Sequence, residues 1–326
     1  MNLFKEYDEL VVRAPLPQSI SEIEKILDIE EQIIKKYVSQ NPIQTQSVRA
    51  IEKVYNAIFL EMSTQTEKIA LSEKLLQEYL LVRENKEDDS SAGIRGLFSG
   101  AFLQLTYERD RAGALSFNGE GRTFNYLFFQ TKEIKNLFLE NITGNCILEN
   151  AGSFGGNIQN ILTYNLVGDY LLAGIGNRGT AEGIIADTIK GTGTFCFASF
   201  KNVLKNILAL RIVGSETFHQ IGCYDGEIKN ILAKNVIGDG TFANLSFQKK
   251  ERNIIATEIF GNHILHNAGD FVKENVVTDR TITDLQRKKV EEIDTLVQTM
   301  QTCSGEERKK LHKEVAELQE QLFGEK

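Results

Sequence analysis

Residues 204–214 read LKNILALRIVG and residues 228–238 read IKNILAKNVIG. The same phrase returns as IKNLFLENITG at 134–144 and IQNILTYNLVG at 158–168. The closing glycines belong to one series, Gly144, Gly168, Gly191, Gly214, Gly238 and Gly261, spaced 24, 23, 23, 24 and 23 residues apart. Aligning on them fills further columns by residue type. Eight places earlier stand Asn136, Asn160, Gly183, Asn206, Asn230 and Asn253. Seven places earlier stand Leu137, Ile161, Ile184, Ile207, Ile231 and Ile254, and six places earlier Phe138, Leu162, Ile185, Leu208, Leu232 and Ile255. Four places after the glycine come Leu148, Leu172, Phe195, Phe218, Phe242 and Leu265. A fixed period of this length marks a repeat architecture.

Each unit holds short apolar runs broken by Gly, Asn, Asp and Thr, with no helical pattern of ten residues, so it reads as two or three short strands joined by turns. Stacking such units in parallel gives a β-solenoid whose like residues lie about 4.8 Å apart. One unit alone buries too little to offset its ordering, so the coils are stable only as a stack. Proline supports this reading: it occurs at Pro15, Pro17 and Pro42 and nowhere later, as suits a ladder in which every backbone N–H donates. A degenerate coil is expected around Gly121 and Phe124, another around Gly100, and a partial one at NVVTDRTITDL (275–285), for about seven or eight coils. The column Asn136, Asn160, Asn206, Asn230 and Asn253 predicts an amide ladder in a bend, because Asn tolerates the left-handed region.

Stretches such as IKNLFLENITGN and LKNILALRIVGS resemble the parallel β-helix repeats of the pectin-lyase-like superfamily. The resemblance covers about residues 95–285 and implies the fold alone. That family's acidic clusters, calcium sites and Arg/Lys bases have no counterpart in register here. A leucine-rich repeat is the rival for this period, but it wants a large sixth residue and Asn at the ninth, where this chain has mostly Ala and an Asn at the eighth.

The flanks are helical in pattern. Residues 18–40 carry Ile23, Ile26, Leu27, Ile33, Ile34, Tyr37 and Val38 at spacings of three and four, and similar stripes follow at 43–62 and 65–86. The tail predicts a helical hairpin, with Leu285, Val290, Ile293, Leu296, Val297 and Met300 on one arm and Leu311, Val315, Leu318 and Leu322 on the other. The expected organisation is a helical N-terminal domain at 1–92, a parallel β-helix at 93–282 and the hairpin at 283–326, a mainly β chain with α flanks.

Function is less legible. A net charge of −8 argues against a duplex nucleic-acid binder. No apolar run approaches the roughly 18 residues of a membrane span, and the start, MNLFKEYDELVVRAPLPQ, reads as neither signal peptide nor stop-transfer segment. Cys146, Cys196, Cys223 and Cys303 share no column and form no C-x-x-C, so neither disulfides nor a zinc knuckle are expected and a cytoplasmic location is. No cofactor motif is present. One constellation bears chemistry: Glu216, Asp239 and His263 fall within two places of their glycines on adjacent coils, where two carboxylates and an imidazole suit general acid–base work. His263 and His266, three apart, read as facing opposite sides of a strand.

The adjacent columns six and seven places before each glycine cannot face one core along an extended strand. The outward ladder Phe138, Leu162, Ile185, Leu208, Leu232 and Ile255 is thus a possible interface, to be covered by the hairpin or by a partner. The functional expectation is a cytoplasmic, non-catalytic scaffold or protein-interaction module, with another protein or a second copy of itself as partner. The alternative is a glycan-binding or glycan-cleaving β-helix with a site on the solenoid flank.

Overall fold

The computed structural model describes residues 18–38, 47–83, 91–110, 114–198, 203–221, 226–245, 254–266, 276–279, 281–303 and 305–324. Helices α1 (Gln18–Val38), α2 (Val48–Gln65), α3 (Glu73–Val82) and α4 (Ala92–Asp110) come first. Nine strands follow: β1 (Leu115–Asn118), β2 (Glu133–Ile134), β3 (Leu137–Thr143), β4 (Asn157–Val167), β5 (Thr180–Lys190), β6 (Val203–Val213), β7 (Glu227–Ile237), β8 (Ile254–Phe260) and β9 (Val276–Thr278). Helices α5 (Asp284–Thr302) and α6 (Gly305–Gly324) close the chain. The strands form one parallel sheet in the order β1-β3-β4-β5-β6-β7-β8-β9, with β2 paired to β4. The fold is a parallel β-solenoid of about six turns, slightly fewer than the columns suggested.

The register is the one the glycines predict. Leu137, Ile161, Ile184, Ile207, Ile231 and Ile254 pair rung to rung, as do Phe138, Leu162, Ile185, Leu208, Leu232 and Ile255. Each full coil has one eleven-residue strand rather than two or three short ones. Two left-handed residues bend that strand. Asn160, Asn206 and Asn230 hold φ between +54° and +56° with Gly183 at +70°, and a second column, Asn165, Thr188, Arg211 and Asn235, holds +51° to +56°. Each bend shifts the side-chain alternation, so each returns to the interior one residue, Ile158 before the first and Leu166 after the second, that strict alternation from Ile161 and Thr163 would turn outward. Ile158, Ile161, Thr163 and Leu166 therefore all face inward from one strand, fully buried.

Beyond the strand, the described residues of each coil form a run of overlapping turns. Cys196 N donates to Gly193 O, His219 N to Glu216 O and Ala243 N to Gly240 O, while Phe195, Phe218 and Phe242 adopt φ of +56° to +58°. Aromatic residues rarely occupy that region. Hydrogen bonds between coils hold them there, with Phe218 N donating to Thr194 O and Phe242 N to Thr217 O at 3.0 Å. Their rings stack inside, centroids 5.0 and 4.9 Å apart and within 6° of parallel. At Gly191, with φ +153°, a Cβ would run into the carbonyl oxygen of Gly168 on the coil before, which explains the invariant glycine of the repeat.

The amide ladder forms in part. Asn160 Nδ2 donates to Asn136 Oδ1 at 3.0 Å, and Asn230 Nδ2 to Asn206 Oδ1 at 2.9 Å. Gly183 interrupts it, and Asn206 Nδ2 turns to Glu182 Oε1 instead. Asn253 lies outside the described residues.

Helices close the N-terminal end. The first edge strand has its Ser116 N and O bonded to Glu73 Oε1 and Gln77 Nε2 of α3, which removes an open edge. No coil exists around Gly100. That residue and Gly96 sit in α4, and their missing side chains let the helix press on Tyr126 and Phe129 of the first coil. Helix α2 runs on to Gln65, and α3 starts only at Glu73, where Ser72 Oγ accepts from Leu75 N.

The hairpin folds back onto the sheet. Phe138, Leu162, Ile185, Leu208, Leu232 and Ile255 form a second core with Val290, Ile293, Val297 and Met300 of α5 and Val315 and Leu322 of α6. The ladder proposed as an interface is therefore buried within the chain and not offered to a partner. Each rung contributes about 1.5–3 kcal/mol by burial. Polar groups key the fit. Asp187, fully buried, accepts from Arg211 Nε at 2.7 Å and from Gln301 Nε2 of α5 at 2.6 Å. Asp294 of α5 accepts from Lys234 Nζ at 2.6 Å and also pairs with Arg211. Burial acts to raise its pKa, but Lys234 and Arg211 outweigh that and hold it below the usual carboxylate range. Arg308 pairs with Glu140 at 2.6 Å and lies over the Phe138 ring.

His312 of α6 is buried beside the backbone of Gly183 and Ile161. Burial lowers its pKa from 6.5 to about 4, and the neighbouring backbone only partly opposes the shift. The folded state thus favours the neutral ring. Its contribution to stability is intact above pH 6.5, falls as the pH drops from 6.5 to 4, and is fully lost below. The loss amounts to roughly 3 kcal/mol. Urea unfolding of the wild type and a His312→Gln variant across this window should show the extra slope in the wild type alone; parallel curves would refute the assignment.

Candidate functional site

The structure does not gather Glu216, Asp239 and His263 into one cluster. Glu216 N donates to Asp239 O and Gly240 N to Asn262 O, which puts Gly240 on the rung between Glu216 and His263. Those two side chains therefore leave the backbone about 10 Å apart. Glu216 lies 3.9 Å from His219. Asp239 Oδ1 accepts from Asn262 N on the next coil at 2.7 Å. Asn145 does the same for Asp169 N, and Asp169 for Thr192 N, both at 2.8 Å. That column is a ladder of side-chain acceptors serving backbone donors. His263 and His266 do not diverge: they sit in a turn with rings 5.2 Å apart and edge to face. No side-chain hydrogen bond or ion pair joins any two of the three proposed residues; only the backbone bond from Glu216 N to Asp239 O does. Among the described residues, no group of three His, Cys, Asp or Glu is placed to hold a metal ion.

Instead, the described residues form a groove of about 770 Å³ on the turn side of the early coils. Helix α2 contributes Arg49 and Ile51 to one side, and the coils supply Tyr126, Phe129, Phe154, Tyr170 and Phe197 as walls. Small residues on adjacent rungs, Cys146, Ala173, Gly174 and Cys196, make the floor and leave the space. Glu149, Asn177 and Arg178 add polar groups. Burial raises the Glu149 carboxyl, partly opposed by its hydrogen bond with the Cys146 thiol. Burial, followed by Glu149, raises the Cys146 thiol, and Cys196 is pushed up to about 12, chiefly by burial. Burial thus disfavours the thiolate form of both. The groove lies on the flank where the glycan alternative would place a site. The signal was present in the repeat as large residues giving way to Ala173-Gly174 beside tyrosines, but aligned columns draw attention to likeness and not to gaps.

Comparison with protein-family models, with curated proteins and with solved structures finds no match. Among the described residues no helix is long and apolar enough to cross a membrane.

The acceptor ladder makes a prediction for Asp239. Asp239→Asn keeps an acceptor oxygen and should leave stability within about 0.5 kcal/mol, while Asp239→Leu strands the Asn262 N–H and should cost about 1–3 kcal/mol. Chemical denaturation distinguishes the two, and equal losses would refute the structural role.

Proposed function

We propose that the chain is a non-catalytic β-solenoid scaffold that binds a partner protein through an apolar ladder on its edge. One observation carries the reading. Val167, Lys190, Val213, Ile237 and Phe260 pair rung to rung immediately before the repeat glycines. The four apolar members are 40%, 45%, 45% and 58% exposed. Scattered exposed apolar residues are ordinary, but Val213, Ile237 and Phe260 stand on three successive rungs, and such a row on a rigid support is a recognition feature.

The chain itself supplies the precedent for what covers such a row. The ladder six places before each glycine is covered by α5 with Val290, Ile293, Val297 and Met300, spaced three, four and three. Rungs repeat at about 4.8 Å and a helix turn at 5.4 Å, so side chains from successive turns meet successive rungs over this length. The occupant is therefore an amphipathic helix of the partner, with an acidic residue opposite Lys190.

A photo-crosslinking residue at Ile237 or Phe260 should yield one discrete adduct in cells, mapping to an amphipathic helix of the captured protein. Leu60, exposed on α2, is the control position and should not yield it. An Ile237→Asp background should abolish the Phe260 adduct while the melting temperature stays within a few degrees. An adduct at twice the chain's mass identifies the partner as a second copy. Identical products from ladder and control positions would sink the reading.

A further inference from the structure

We propose that the flank groove binds a small, flat, aromatic anion whose ring fills a gap in an aromatic column at Cys146. The inference is independent of the scaffold reading, because it concerns another face of the coils. Hydrogen bonds from Tyr126 N to Asn145 O, Cys146 N to Asp169 O and Tyr170 N to Thr192 O put Tyr126, Cys146, Tyr170 and Gly193 on successive rungs. Tyr170 leans away from Cys146 onto Gly193, where a Cβ would come within 2.8 Å of its Cδ1. The ring of Tyr126 is engaged edge to face with Phe129 at 5.3 Å, and its hydroxyl hydrogen-bonds the Cys146 thiol. The rung of Cys146, with Ala173 and Gly174 beside it, thus holds no ring while tyrosines stand on the rungs before and after.

Inside the same solenoid, Phe195, Phe218 and Phe242 show what the rung spacing accepts: parallel rings at 5.0 and 4.9 Å. A planar ring from outside fits one empty rung of that pitch, within the range for offset stacking. A sugar ring is a thicker, puckered body whose hydroxyls call for many polar partners, whereas the floor here is Cys, Ala and Gly.

Two further observations specify the rest of the ligand. Arg49 and Arg178 line the groove, and among the described residues neither forms an ion pair with a carboxylate. Arg178 lies over the Phe154 ring, 5.2 Å from its centroid. Glu149 also lines the groove, with burial pushing its carboxyl toward the neutral form, so two guanidinium groups that form no ion pair among the described residues select an anionic substituent. Asn177 also lines the groove, and its side-chain amide offers a polar contact to the ring edge. A volume of about 770 Å³ lies in the range of about 300–1,000 Å³ typical of small-molecule sites.

The probe is 8-anilinonaphthalene-1-sulfonate, whose flat naphthalene ring carries a sulfonate, titrated by fluorescence and calorimetry against the full chain. One saturable site is expected. Cys146→Phe supplies the missing ring from the protein itself and should weaken the probe at least tenfold, with an unchanged or higher melting temperature. Tyr170→Ala, at a half-exposed position, should also weaken it several-fold in a protein that melts normally, so the result does not depend on one variant folding. Arg178→Gln should weaken the sulfonate several-fold but leave the neutral N-phenyl-1-naphthylamine unchanged. Full-strength probe binding in both Cys146→Phe and Tyr170→Ala overturns the site, and equal loss of both probes in Arg178→Gln overturns its selection of anions.

Discussion

The hydrogen bonds that join each coil to the next govern everything else in this molecule. They run rung to rung through strand and turn alike, and they hold the backbone in conformations that its side chains would not choose. Phenylalanines with φ near +57° are strained in isolation. Here the strain is tolerated because each such residue is fixed from the coils on both sides. The same constraint sets the ring stack, the acceptor ladder at Asp169 and Asp239, and the collision that forbids any side chain at Gly191.

Because bonding between coils fixes the register, surfaces in this protein come as columns. One apolar column is taken by the hairpin, one remains open, and one polar column serves its own backbone. The groove arises where a column is interrupted. Chemistry on such a scaffold is thus a matter of which residue occupies which rung.

The period made the solenoid legible in sequence, and adjacency of two apolar columns made the second core legible, since neighbours on an extended strand cannot share a side. Four matters were hidden. The bend at Asn165 and Arg211 was invisible because Thr, Arg and Glu stand among the asparagines of that column, and only backbone bonding makes their left-handed geometry tolerable. Gly100 read as a coil residue because glycine signals close approach without saying whether strand or helix approaches. Asp239 and His263 read as chemistry because a one-dimensional column shows identity but not the backbone N–H that a carboxylate faces. The groove depends on α2 meeting the coils, a contact without any sequence period.

The gap in the amide ladder at Gly183 has a consequence for how this chain can change in length. Solenoids ordinarily grow and shrink by duplicating or losing a repeat, since neighbouring repeats are interchangeable. His312 lies against the coil that lacks the asparagine, Arg308 reaches Glu140, and Asp294 bridges Arg211 and Lys234. The hairpin therefore distinguishes one coil from another and acts as a measuring rod laid along the stack. Adding or deleting a coil between Glu140 and Lys234 would put every one of these partners out of step at once. The repeats beneath the hairpin have ceased to be modular, and the number of coils there is fixed by a part of the chain outside the repeat.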